Sequence, residues 1–237
     1  MRFSTKVCLV AGGTGALGSA VSRALLDEGA MVIVTYRTQA ELDELAQSAA
    51  ANRTRLEGHR VDVTNEAATL RLVEGIIGKH QRLDVLVNTV GGYAGGVKLW
   101  DLDAKVLDHL LALNLRSGYA LSRAVLPAML RQASGSIVNV AARAALEPPA
   151  GAAAYAASKA AALALMGSLA ADVAGIGVRV NSVLPSIIDT AANRGAMPKA
   201  NFAKWPKPAE IASVILFLCS DEARVIHGAA IPVYGDT

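Results

Sequence analysis

Short apolar runs alternate along the chain with longer stretches whose apolar residues recur every third or fourth position. Val7–Val10 is the first run, and Gly12, Gly15 and Gly18 follow it. Leu17, Val21, Ala24 and Leu25 then mark one face of a helix. The alternation continues to the end of the sequence. Strands are expected at Ala30–Tyr36, Leu56–Val61, Val85–Asn88, Ser136–Val140, Val178–Leu184 and Ala230–Val233. Helices are expected at Thr38–Asn52, from an Asn65 cap to about Lys79, at Ala104–Arg131, at Ala152–Ala174 and at Ala209–Ser220. The glycine-rich loop Gly91–Gly96 and the proline-bearing stretch Pro185–Lys207 read as irregular.

Strands this continuously apolar belong to a parallel sheet covered on both faces. The fold class is therefore α/β: a single-domain Rossmann fold over residues 1–237, with a doubly wound parallel sheet of seven strands and helices on both faces. No composition break or internal repeat divides it. A glycine turn between a strand and a helix makes a place for phosphate. The backbone approaches the anion closely there, and the helix N-terminus offers free N–H groups.

Composition narrows the choices. Hydrophobic residues make up 53% of 237 and charged residues 18%, enough for a buried sheet. A net charge of +3 with no basic run gives no support for nucleic acid. Cys8 and Cys219 lie in apolar segments and read as buried free thiols of a reducing compartment. The four His residues lack ligand spacing, so no metal site is expected. No cleavable leader and no run long enough to span a bilayer are read, so a soluble cytoplasmic chain is expected.

Two positions bear on the ligand. Strand two ends Thr35-Tyr36-Arg37, where an acid suits ribose hydroxyls and an Arg suits a 2′-phosphate. NADP(H) is therefore favoured, with NAD(H) as the second candidate. Asp62, beside Val63, either accepts from the adenine amino group or serves as a turn acid. Tyr155 and Lys159 lie four apart on the alanine-rich helix and so share a face. A cation beside a phenol is expected to lower its pKa and make it a usable acid or base.

With that Tyr-x-x-x-Lys placed after strand five, the chain resembles the short-chain dehydrogenase/reductases over nearly its whole length. The resemblance implies that Tyr155 exchanges a proton with the substrate as hydride moves. It implies that Lys159 tunes Tyr155 and holds the nicotinamide ribose, and that Asn114 organises a proton-relay water. It also assigns cofactor contacts to Gly12, Thr14, Gly15, Ala16, Leu17, Gly18, Tyr36, Arg37, Asp62, Val63, Asn88, Gly91, Val140, Pro185, Ile187, Ile188 and Thr190. A homodimer or homotetramer acting on a small molecule is implied, with no membrane or nucleic-acid partner.

Several positions depart from the family pattern: Ala16 where Gly is usual, Thr89 and Val90 after Asn88, and Ser186 after Pro185. The largest departure is Ala142, where a hydrogen-bonding Ser is usual. Ala142, GGYAGG (Gly91–Gly96) and Asp189–Trp205 together resemble the dihydropteridine reductase branch. That implies a flat conjugated C=N or C=O substrate, with Tyr93, Arg143, Asn193 and Trp205 as candidate contacts. The alternatives are a carbonyl or 3-oxoacyl reductase, and a nucleotide sensor without turnover. An intact Asn114, Tyr155 and Lys159 argues against the sensor.

Overall fold

The central strands, β1 (Val7–Ala11) and β4 (Val85–Asn88), are buried at every position. The other strands are β2 (Met31–Tyr36), β3 (Leu56–Arg60), β5 (Gly135–Val140), β6 (Val178–Pro185) and β7 (Ala230–Val233). The computed structural model describes residues 1–237 and joins these strands in one parallel sheet. Their order is β3-β2-β1-β4-β5-β6-β7. The chain turns from one direction of sheet-building to the other between β1 and β4. The crevice beyond the carboxyl ends of those strands is where a ligand belongs in such a sheet.

Alternate strand residues serve opposite faces, as the pleat requires. Val10, Val34, Val87 and Val138 pack under α1 (Ala16–Asp27), α2 (Gln39–Ala49) and α8 (Pro208–Cys219). Leu9, Ile33, Leu86 and Ile137 pack under α3 (Glu66–His80), α5 (Ser117–Gln132) and α6 (Ala153–Asp172). The Asn65 cap forms as expected, its Oδ1 accepting from the Ala68 N–H at 3.0 Å. Pro232 falls in β7, an edge strand that pairs only with β6, where its missing N–H does no harm.

Three details differ from the periodicity. The helix after Thr38 stops at Ala49 and tightens to a 3₁₀ turn over Ala50–Arg55. The long helix is two, α4 (Ala104–Leu111) and α5, joined by a π turn at Ala112–Arg116. The stretch after Pro185 holds α7 (Ala191–Ala196) and a 3₁₀ turn at Phe202–Lys204. One reading is corrected. At 20 residues with a mean hydropathy of 1.2, α6 is long and apolar enough to cross a membrane by length and composition. Its alanines produce that value, and in the fold it packs on β6 and buries Lys159. Cys8 and Cys219 are both buried and unpaired, and burial pushes both thiols up, Cys219 to about 12.

Candidate active site

The glycine turn is built for close approach. Gly12 sits at φ +71°, in the left-handed region, and its N–H donates to Thr35 Oγ1 at 2.9 Å. A Cβ at Gly18 would stand 2.0 Å from the Gly12 carbonyl oxygen, so only glycine lets α1 begin there. The Ser22 hydroxyl donates to the Gly13 carbonyl at 3.0 Å. Thr89 Oγ1 donates to the carbonyl of Ala11 at 2.7 Å, which gives that departure a role in holding the turn. Gly15 caps α1 without a side chain, and no acid occupies the helix's first turn. Its N–H groups and partial positive charge are left for an anion.

A cleft of about 700 Å³ opens beside this turn. Gly12, Thr14, Gly15, Tyr36, Arg37, Asp62, Val63 and Gly91 line it together. Thr35, Glu41, Arg60, Thr64 and Leu113 line it as well, and sequence reasoning missed them. A lone Thr in the apolar run of β2 was the one available signal. Asp62 Oδ1 accepts from the Thr64 N–H at 2.9 Å and from the Thr64 hydroxyl at 2.7 Å, the contacts of a turn acid. Ala16, Leu17, Gly18, Asn88, Val140, Pro185, Ile187, Ile188 and Thr190 are not on its wall. Leu17 is buried in the core, and Asn88 donates to Asn139 Oδ1 at 2.9 Å, tying β4 to β5. Thr190 caps α7, accepting from the Asn193 N–H.

The candidate chemistry converges at Gly91. A Cβ there would meet Asn114 Oδ1 at 2.8 Å and Lys159 Nζ at 2.9 Å. Lys159 is buried and donates to the Val140 carbonyl at 3.0 Å. Asn114 stands in the π turn, where one extra residue per turn re-aims its side chain. Its Oδ1 accepts from the Gly92 N–H at 2.9 Å, and its Nδ2 donates to the Gly92 carbonyl and to Ser158 Oγ. Ser158, which sequence reasoning also missed, donates in turn to the Tyr155 carbonyl at 2.8 Å.

Tyr155 does not titrate as expected from its neighbour. Burial, with Tyr93 adding to it, pushes the phenol up to about 12. Burial also draws the Lys159 ammonium down to about 8. Desolvation outweighs attraction because the ammonium is turned to the Val140 carbonyl. Around neutral pH, Tyr155 is therefore a protonated donor beside a cation that is easily discharged.

The substrate candidates divide. Tyr93 is 69% exposed and meets the Tyr155 ring edge-on, centroids 4.9 Å apart. Ala142 is buried at the start of the turn Arg143–Ala145, on which α6 packs. Arg143 bonds to Glu147 and to the Thr237 carbonyl and stacks on Tyr234. Asn193 Nδ2 donates to the Ile188 carbonyl at 2.8 Å, and Arg194 pairs with Asp189. Trp205 is buried against Phe202, centroids 5.0 Å apart, so it holds the segment together.

The sequence model of the short chain dehydrogenase family matches residues 6–201. The chain belongs to that family. It is 32% identical over 243 residues to the 3-oxoacyl-(acyl-carrier-protein) reductase FabG of Thermotoga maritima, covering 99% of this chain and 98% of that protein. It is 33% identical to a meso-2,3-butanediol dehydrogenase of Serratia marcescens, covering 99% of this chain and 95% of that protein. An NAD⁺-bound xylitol dehydrogenase superposes with a TM-score of 0.90 at 25% identity, over 99% of this chain and 100% of that one.

This short-chain dehydrogenase is an NAD(P)(H)-dependent oxidoreductase. Its residues fit such a nucleotide. The turn packs too closely for side chains at Gly12, Gly13 and Gly18, and the α1 N-terminus carries no capping side chain and no acid, which suits phosphates. The cleft runs from there to Gly91, beside Lys159 and Asn114.

Proposed function

We propose that the chain is an NADP(H)-preferring reductase of a small, flat, conjugated C=N or C=O compound. The observation that carries this is Ala142: the buried position where a Ser would hydrogen-bond the substrate offers only a methyl. A substrate that spreads the new charge over a ring has less need of that donor. An exposed aromatic edge-on to Tyr155 suits a flat ring. Arg37 on the cleft wall supports the NADP(H) preference.

The bound nucleotide supplies a hydride. The residues of the chain do the rest. Tyr155 Oη gives its proton to the substrate atom that gains charge. Lys159, held by the Val140 carbonyl, places a cation in the same pocket. Asn114 fixes Gly92 and, through Ser158, the first turn of α6 around Tyr155. Arg143, Asn193 and Arg194 hold the surrounding loops.

The titrations give a one-sided pH profile. Lys159 loses its proton as pH rises through about 8, whereas Tyr155 keeps its own to about 12. The kcat/KM for reduction should stay level from neutral pH to about 8 and fall above it, as a cation is lost while the acid remains. A profile still level at the ordinary lysine pKa, about 10.4, contradicts this account.

Steady-state oxidation of NADPH and NADH tests the reading, using a quinonoid dihydropterin beside a panel of simple ketones. Faster pterin turnover with NADPH is expected. The Ala142→Ser variant should raise ketone turnover by about tenfold or more, since an oxyanion donor can contribute about 100- to 1,000-fold. Wild-type ketone turnover matching that of the pterin, unmoved by Ala142→Ser, contradicts it. The second reading is a ketone or 3-oxoacyl reductase, favoured by the similarity to the reductase and dehydrogenase of the preceding section. A homodimer or homotetramer is part of the proposal, with Ala157, Ala164 and Gly167 on the exposed side of α6 allowing close helix approach.

A further inference from the structure

The adenosine end of the cleft is electrically divided. Arg37 and Arg60 line it, and neither forms an ion pair. Two acids share the same wall, Asp62 and Glu41. Asp62 is engaged by Thr64 of its own loop. Glu41 differs. It lies half-buried in the first turn of α2. Its Oε2 accepts from the Thr14 hydroxyl at 3.1 Å. Thr14 belongs to the glycine turn, so the carboxylate is fixed to the loop that receives the phosphates.

We propose that Glu41 is a specificity-determining residue, a fixed negative charge that opposes the pull of Arg37 and Arg60 on a 2′-phosphate. The inference rests on the nucleotide reading above and goes beyond it. A 2′-phosphate brings about 1.5 to 2 negative charges to this end of the cleft. The 2′-hydroxyl of NAD(H) brings none. Glu41 therefore weakens NADP(H) more than NAD(H), which moves the chain from strict NADP(H) use toward dual use. Position 37 alone then overstates the preference.

Glu41→Gln removes the charge and keeps an amide oxygen for the Thr14 hydroxyl. Calorimetric binding of adenosine 2′,5′-bisphosphate and of 5′-AMP separates the phosphate from the rest of the nucleotide. The variant should bind the bisphosphate about tenfold more tightly than wild type at low salt, and 5′-AMP with a clearly smaller gain. That gain should shrink as salt is raised, because a partly exposed charge is screened. NADPH and NADH should follow the same pattern in direct titration. Equal shifts for both adenosine ligands, or no shift, overturn the inference while wild-type binding of NADPH and NADH leaves the nucleotide reading standing. A wild type that binds neither nucleotide overturns both.

Discussion

Tyr155→Phe is expected to lower kcat by about 100- to 10,000-fold, the range a positioned general acid contributes, with nucleotide affinity unchanged. The substitution removes one oxygen and keeps the ring, so the edge-on contact with Tyr93 and the packing of α6 survive. What goes is the proton. Burial holds the Tyr155 phenol protonated to about 12, so the donor is loaded at every working pH. Lys159, drawn down to about 8, carries a proton too, but its Nζ is directed to the Val140 carbonyl. It stands in poorly for the phenol. Steady-state rates and a nucleotide titration on the same preparation check this. Turnover close to wild type removes Tyr155 from the chemistry, whatever the motif suggests.

The second large effect is structural. Gly18→Ala places a Cβ 2.0 Å from the Gly12 carbonyl oxygen and 2.9 Å from Gly13 Cα. Both neighbours are backbone, so α1 must retreat from the turn. Overpacking of this kind costs about 1–3 kcal/mol. It also pulls the helix N-terminus from the phosphates, so nucleotide affinity should fall by about tenfold or more, at 1.4 kcal/mol for each factor of ten. Gly75→Ala is the matched control. Nothing lies within 4 Å of that Cβ, inside α3. It should stabilise the chain by about 0.5–1 kcal/mol. Urea unfolding and nucleotide titration read both variants. Wild-type stability and binding in Gly18→Ala would mean that the turn does not hold its ligand closely.

Much of this was legible beforehand. β4 and β7 fall at their expected bounds because each is a short apolar run with sharp ends. The glycine turn was legible because strand, glycines and helix occur in the order that phosphate binding requires. The π turn was not. A single inserted residue hardly changes the apolar spacing around Leu110, Leu113 and Leu115, yet it decides where Asn114 points. Glu41 was not legible, since sequence cannot show that Thr14 crosses to meet it. Trp205 resembled a substrate wall until its burial against Phe202 was seen. Tyr155 and Lys159 were singled out by spacing alone, whereas their titration depends on burial, and that is a property of the whole fold.

The most direct measurement is isotope transfer. The chain would be given NADPH deuterated at the transferring position of the nicotinamide together with its best acceptor, and the oxidised nucleotide analysed by mass spectrometry. Oxidised nucleotide that has lost its deuterium, formed about 100- to 10,000-fold more slowly when Tyr155→Phe replaces the wild type, is the result expected of a hydride-transferring reductase. Oxidised nucleotide that keeps its deuterium, or nucleotide left unoxidised across the acceptor panel, would contradict it.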